Sequence, residues 1–169
     1  MMRLFVGLEP SPEFRSSLAV LQENLRVAGV TGRYLDPSNL HMTLAYIGMW
    51  AETVTERLPS VLQPFPVTLS HLGLFREAGV LWAGVEPSEA LNRLSETVRR
   101  SLDEAEIPFD HQPFIPHITL VRKPSIPEDV SLMEIEVPRV TMVVHDVCLY
   151  QSEHRENGME YTVIGRTTA

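Results

Sequence analysis

The chain opens on an almost unbroken apolar run, Met-Arg-Leu-Phe-Val-Gly-Leu over residues 2–8, closed by Glu9-Pro10. A run this short, bounded by a turn signal, predicts a buried strand. The period then changes. Phe14, Leu18, Leu21 and Leu25 recur at helical spacing, and Ser11-Pro12 supplies a start signal, so a helix is expected over about 12–27. The same order returns in the second half. Residues 81–88 read Leu-Trp-Ala-Gly-Val-Glu-Pro-Ser beside Leu-Phe-Val-Gly-Leu-Glu-Pro-Ser at 4–11. Leu91, Leu94, Val98 and Leu102 then predict a matching helix over about 89–105.

Each helix leads to a β-branched apolar stretch headed by a histidine: His41-Met42-Thr43-Leu44 and His117-Ile118-Thr119-Leu120. The chain is therefore read as a tandem strand–helix–strand unit, each copy delivering one histidine. Between and after the units the pattern predicts a helix over 51–62 and strands over 66–75, 133–137, 140–150 and 160–164. Pro113, Pro116, Pro124 and Pro127 bracket the second histidine strand and predict that it is short. One domain is expected over 1–169, with lobes near 1–78 and 79–169 that exchange strands at the C-terminal end. Packed face to face, such lobes would present His41 and His117 across a shared cleft.

Composition narrows the picture. A chain of 169 residues with 44% apolar and 21% charged side chains can bury a core without staples. Cys148 is the single cysteine, which excludes an intramolecular disulfide and a cysteine-based metal cluster. The amino terminus meets Glu9 and Pro10 too soon for a secretory signal, and no apolar run reaches membrane-spanning length, so a cytoplasmic, monomeric protein is expected. The net charge is −8, with only 14 Lys and Arg and no basic run. Extended duplex binding is thereby disfavoured, while a local site for one terminal phosphate stays open.

In a strand, residues two apart share a face, so His41 lies with Thr43 and His117 with Thr119. Phosphodiester hydrolysis needs a base for the attacking water and an acid for the departing oxygen, roughly in line through phosphorus. Histidine serves either role near neutral pH, and one from each lobe meets the geometric demand. The residues leave open which histidine is acid and which is base. The threonine hydroxyls suit the non-bridging phosphate oxygens. A metal site fits poorly, since neither histidine has a second ligand at metal spacing on its strand, and no cofactor is expected. Phe114, Phe75, Trp50 and Tyr46 are candidates to stack on a base. Tyr46 is the weakest of them, because alternation places it on the core face of Met42 and Leu44. His71, His111, His145 and His154 carry no motif.

The paired His-x-Thr-x strings, with Phe114-Ile115-Pro116 before the second and Arg122 after it, resemble the 2H phosphoesterase superfamily. Within it the chain is similar to the bacterial and archaeal RNA 2′,3′-cyclic phosphodiesterases, also called 2′-5′ RNA ligases. The Asn39-Leu40-His41 approach and the Ser152, Gly158 and Tyr161 string share that likeness. The resemblance implies a bilobal α+β fold, with antiparallel sheets lining the cleft and helices outside. It also implies metal-independent opening of a 2′,3′-cyclic phosphate on RNA ends or nucleotides to leave a 2′-phosphate. His41 would be the proton donor and His117 the acceptor, with Arg122 near the phosphate. Strict alternation points Arg122 away from His117, so that role requires a bend or a strand end. Joining of RNA ends, and a non-catalytic module that binds nucleotide phosphates, are the alternative readings.

Overall fold

The computed structural model describes residues 1–167, and both tandem units form where the apolar pattern places them. The elements run β1 (Met2–Leu8), α1 (Pro12–Val27), β2 (Thr31–Tyr34), β3 (Met42–Trp50), β4 (Phe65–Phe75), β5 (Val80–Val85), α2 (Glu89–Glu104), β6 (Ile118–Ser125), β7 (Thr141–Val144), β8 (Val147–Arg155) and β9 (Gly158–Thr167). The helices start by the same device. Ser11 Oγ accepts from the Phe14 amide at 3.2 Å and Ser88 Oγ from the Leu91 amide at 3.1 Å, each satisfying an amide the helix cannot.

The strands form one antiparallel sheet in the order β7-β4-β5-β6-β3-β1-β8-β9, with β2 added beside β6. At its centre β3 meets β6 through a single pair, Met42 opposite Ile118. Outward from that junction the order is β3-β1-β8-β9 on one side and β6-β5-β4-β7 on the other. The half holding β1 is thus completed by β8 and β9 from far along the chain, while β4 completes the half holding β5.

Alternation along β1 separates two faces. Leu4, Val6 and Leu8 enter the main core with Phe14, Leu18, Leu21 and Leu25 of α1, and the same core takes Leu91, Val98 and Leu102 of α2. Both helices therefore cover one face of the sheet. Truncating one of these fully buried leucines to Ala would cost about 2–5 kcal/mol. Phe5 points the other way, into a small cluster with Cys148, Tyr150 and Tyr161. The helix-free face is where the histidines lie. The α+β class expected from the sequence is the one observed.

Four local expectations are corrected. Residues 51–62 form only a 3₁₀ turn over Glu52–Arg57, which has no side-chain cap. That segment carries the β-branched Thr53, Val54 and Thr55 and meets Pro59 early, so an α-helix is poorly supported. The strand expected over 133–137 is absent, and Leu132–Glu134 makes a 3₁₀ turn with Met133 exposed. The strand expected over 140–150 is two strands, β7 and β8, which break at His145-Asp146 and go to opposite halves of the sheet. The second histidine strand is not cut short. β6 runs eight residues and contains Pro124.

Candidate active site

A β-bulge in each histidine strand shapes the site. In β3, Val6 pairs with Ala45 and Gly7 with Thr43, which leaves Leu44 as the extra residue. In β6, Leu81 pairs with Val121 and Trp82 with Thr119, which leaves Leu120 as the extra residue. The bulge falls on the last residue of both motifs. It places two consecutive side chains inward, Leu44 with Ala45 and Leu120 with Val121, and reverses the alternation beyond them.

Two residues are re-aimed as a result. Tyr46, expected on the core face with Met42 and Leu44, is 41% exposed and lines the cleft. Arg122 returns to the face of Thr119 through the bulge rather than through a strand end, since β6 continues to Ser125. Each stands five residues after its histidine, so Tyr46 and Arg122 occupy equivalent places in the two units.

The bulge carbonyls have dedicated donors. Gln22 of α1 donates through Nε2 to Leu120 O at 3.1 Å and to Leu35 O at 2.9 Å. Arg99 of α2 donates through Nε to Leu44 O at 3.2 Å and through Nη1 to Gln112 O at 2.7 Å. Each helix thus secures the bulge in the other unit's histidine strand. A bulge interrupts the ladder, and its carbonyl needs a partner from elsewhere. The sequence reading missed both residues. The available signal was Gln22, a polar residue set among Leu18, Leu21 and Leu25 and buried to 1% exposure.

The histidines are held alike. His41 Nδ1 lies 2.7 Å from Asn39 O, and His117 Nδ1 lies 2.6 Å from Ile115 O. A carbonyl only accepts, so Nδ1 carries the proton in both rings and Nε2 holds the free lone pair. His41 Nε2 is 3.1 Å from Thr43 Oγ1, whose hydroxyl donates to the neutral ring. Thr119 is half-buried on the same side of its strand as His117.

Their surroundings differ. His41 packs against Phe5 (ring centroids 4.6 Å), Tyr161 (5.0 Å) and Tyr150 (5.4 Å). His117 packs against Phe75 (5.1 Å) and Trp82 (5.9 Å). Trp82 lies across Gly73 of β4, where any Cβ would collide with the indole. Asn39 ties the distant hairpin to the first motif. Its Nδ2 donates to Met159 O at 2.7 Å and its Oδ1 accepts from the Tyr161 amide at 3.1 Å.

Burial sets the titration of both rings. Desolvation drives the His41 pKa down to about 4, assisted by the charges of Arg122, His117 and Arg15 and opposed by the Asn39 carbonyl. His117 is also lowered, first by desolvation and then by Arg122, against the Ile115 carbonyl. The Arg122 charge thus bears on both histidines.

A groove of about 720 Å³ opens beside His117, lined by Thr43, Tyr46, Phe75, Arg76, Phe114 and Arg99 of α2 among others; His41, Thr119 and Arg122 are not in its lining. Phe114, Phe75 and Tyr46 line this groove, Phe114 while also packing on the main core. Trp50 packs against the main core instead. Among the described residues no group of three His, Cys, Asp or Glu is arranged to hold a metal ion. Among them, too, no helix is long and apolar enough to cross a membrane.

The fold defines an α+β protein with two equivalent His-x-Thr strands adjacent at the centre of one antiparallel sheet. The chain belongs to the 2′-5′ RNA ligase superfamily, whose family model matches residues 10–156. It is 30% identical to an RNA 2′,3′-cyclic phosphodiesterase of Thermus thermophilus, over 96% of this chain and 88% of that one. An RNA 2′,3′-cyclic phosphodiesterase of Thermotoga maritima is 26% identical over 96% and 93%. Among solved structures, Escherichia coli LigT complexed with 3′-AMP superposes with a TM-score of 0.78 at 25% identity, covering 99% of this chain and 97% of that one.

Proposed function

We propose that the protein hydrolyses 2′,3′-cyclic phosphates at RNA ends or on nucleotides, with His41 and His117 as the acid–base pair. One observation carries this reading. Both imidazoles have Nδ1–H bound to the carbonyl two residues earlier, which makes Nε2 the titrating nitrogen of each ring, that of His41 accepting from Thr43 Oγ1. Water attacks phosphorus while one histidine takes its proton, and the other protonates the departing ribose oxygen. The ring opens and a 2′-phosphate and free 3′-hydroxyl remain. Family likeness supports His41 as the donor and His117 as the acceptor. Thr43, Thr119 and Arg122 are suited to the non-bridging oxygens, whose negative charge the guanidinium offsets.

The relatives' names supply the cyclic phosphate, and the 3′-AMP seen in the E. coli protein supports a nucleotide in the groove beside Phe114. A monomer in the cytoplasm remains the working expectation. The test is incubation of EDTA-treated protein with adenosine 2′,3′-cyclic phosphate and with cyclic-phosphate-ended RNA, the product resolved as 2′- or 3′-phosphate. Turnover to the 2′-phosphate is expected. No turnover of either substrate, or loss of activity to EDTA, would overturn the reading.

A further inference from the structure

β2 pairs with the distal part of β6, setting Arg33 opposite Arg122 and Tyr34 opposite Val121. Directly opposed residues of an antiparallel ladder share a face. Tyr34 and Val121 face the core. Val121 is fully buried, and Tyr34 packs on the core beneath Arg26 while its hydroxyl donates to Val30 O. Arg33 and Arg122 therefore share the helix-free face, the one turned to the histidines.

Like charges in direct opposition are destabilising. Among the described residues five exposed arginines have found carboxylates: Arg26 has Glu23, Arg93 has Glu89, Arg139 has Glu86, Arg155 has Glu160 and Arg166 has Glu9. Among the described residues neither Arg33 nor Arg122 has a carboxylate or a hydrogen-bond acceptor. Of two adjacent unpaired guanidiniums, the inner is the one proposed for the cyclic phosphate, which leaves the planar fork of the outer for a second phosphate. Arg122 is the inner of the two, close enough to act on both histidines. Arg33 stands one strand further out.

We propose that Arg33, one strand out from Arg122, binds the internucleotide phosphate that precedes the cyclic terminus, so that the protein selects ends of RNA chains over mononucleotides. The proposal rests on the cyclic-phosphodiesterase reading above and adds a substrate preference to it. A mononucleotide 2′,3′-cyclic phosphate has no phosphate to offer Arg33, whereas a dinucleotide has one.

The experiment compares adenosine 2′,3′-cyclic phosphate with adenylyl-adenosine 2′,3′-cyclic phosphate on wild type, Arg33→Gln and Arg33→Lys. Wild type should favour the dinucleotide in kcat/KM by about tenfold, the effect of one charge-assisted contact. Arg33→Gln should erase that preference through KM and make the salt dependence shallower by about 0.7 in log–log slope. Arg33→Lys should restore part of it. An unchanged preference in Arg33→Gln, or an equal loss on both substrates, would overturn the proposal. Calorimetry with the dinucleotide ending in a 3′-phosphate, and with 3′-AMP, reads the same site without turnover. If wild type hydrolyses neither substrate, the activity reading fails alone, and Arg33 is judged by whether Arg33→Gln weakens the dinucleotide about tenfold more than 3′-AMP.

Discussion

Met42 of β3 and Ile118 of β6 are partners across the centre of the sheet, and each is the residue between His and Thr in its own motif. Antiparallel pairing of equivalent positions creates a local two-fold axis between them. That axis carries one His-x-Thr motif into the other's place. Both side chains are buried to 1% exposure or less. Ile118→Ala should lower stability by about 2–5 kcal/mol, against about 0.5–1.5 kcal/mol for Ile118→Val, in denaturant unfolding.

Loss of either histidine should be severe and separable from folding. His41→Ala and His117→Ala should each reduce kcat by about 10²–10⁴. The far-ultraviolet spectrum should keep its native form in both. A variant that retains more than a tenth of the wild-type rate would remove that histidine from the mechanism.

The pH profile follows from the depressed histidines. Activity needs one ring protonated and one neutral, and in the free protein both titrate below 6.5, His41 near 4. The singly protonated form therefore peaks on the acid side, and kcat/KM should be maximal below pH 6.5. A bound phosphodiester anion favours imidazolium, so the bell for kcat should lie at higher pH. Initial rates across pH 4–9 decide this, and a kcat/KM optimum above 7 would contradict it. Stability has the matching sign. A histidine depressed in the folded state contributes stability that is present above its unfolded pKa and fades as pH falls toward 4. For His41 this is on the order of 2–3 kcal/mol, measurable as a flatter acid limb in His41→Gln.

Gln22→Leu fills the same space without a donor. It leaves Leu35 O with one partner fewer and removes the side-chain bond to the Leu120 bulge. A loss of about 1–3 kcal/mol is expected. kcat should fall as well, because the bulge is what aims Arg122. Gln22→Glu and Gln22→Leu measured together separate a packing effect from a lost donor.

Asn39→Ala breaks both side-chain bonds to β9 while keeping the carbonyl that holds His41. Destabilisation of about 1–2 kcal/mol is expected, with faster amide exchange confined to β8 and β9. Because Tyr161 braces His41, kcat should also drop, and His117 resonances should stay in place.

What could be read from the sequence was whatever repeats locally. The two strand–helix units, the caps Ser11 and Ser88, and the His-x-Thr pairs all lie within short windows where period and spacing speak directly. Tyr46 and Arg122 escaped the alternation rule because the bulges at Leu44 and Leu120 arise from pairing across the sheet. The fate of residues 140–150 escaped for the same reason. Their apolar pattern is that of a strand, but Val144 is drawn to Phe65 while Cys148 is drawn to Gly7, and the chain breaks between them. Gln22 was visible as a polar residue on an apolar stripe, yet its acceptors lie 13 and 98 positions away.

The placement of β8 and β9 beside β1 sets an order of assembly. A nascent chain emerges amino end first, and domains generally fold as units once their parts are available. The rings around His117, Phe75 and Trp82, are made before or with their histidine. Those that enclose His41 wait for Tyr150 and Tyr161, more than a hundred residues later. Until the final hairpin docks, His41 lacks two of the three aromatic rings that pack on it. The two half-sites are alike in space and unlike in time, so the proposed acid–base pair exists only in the finished sheet.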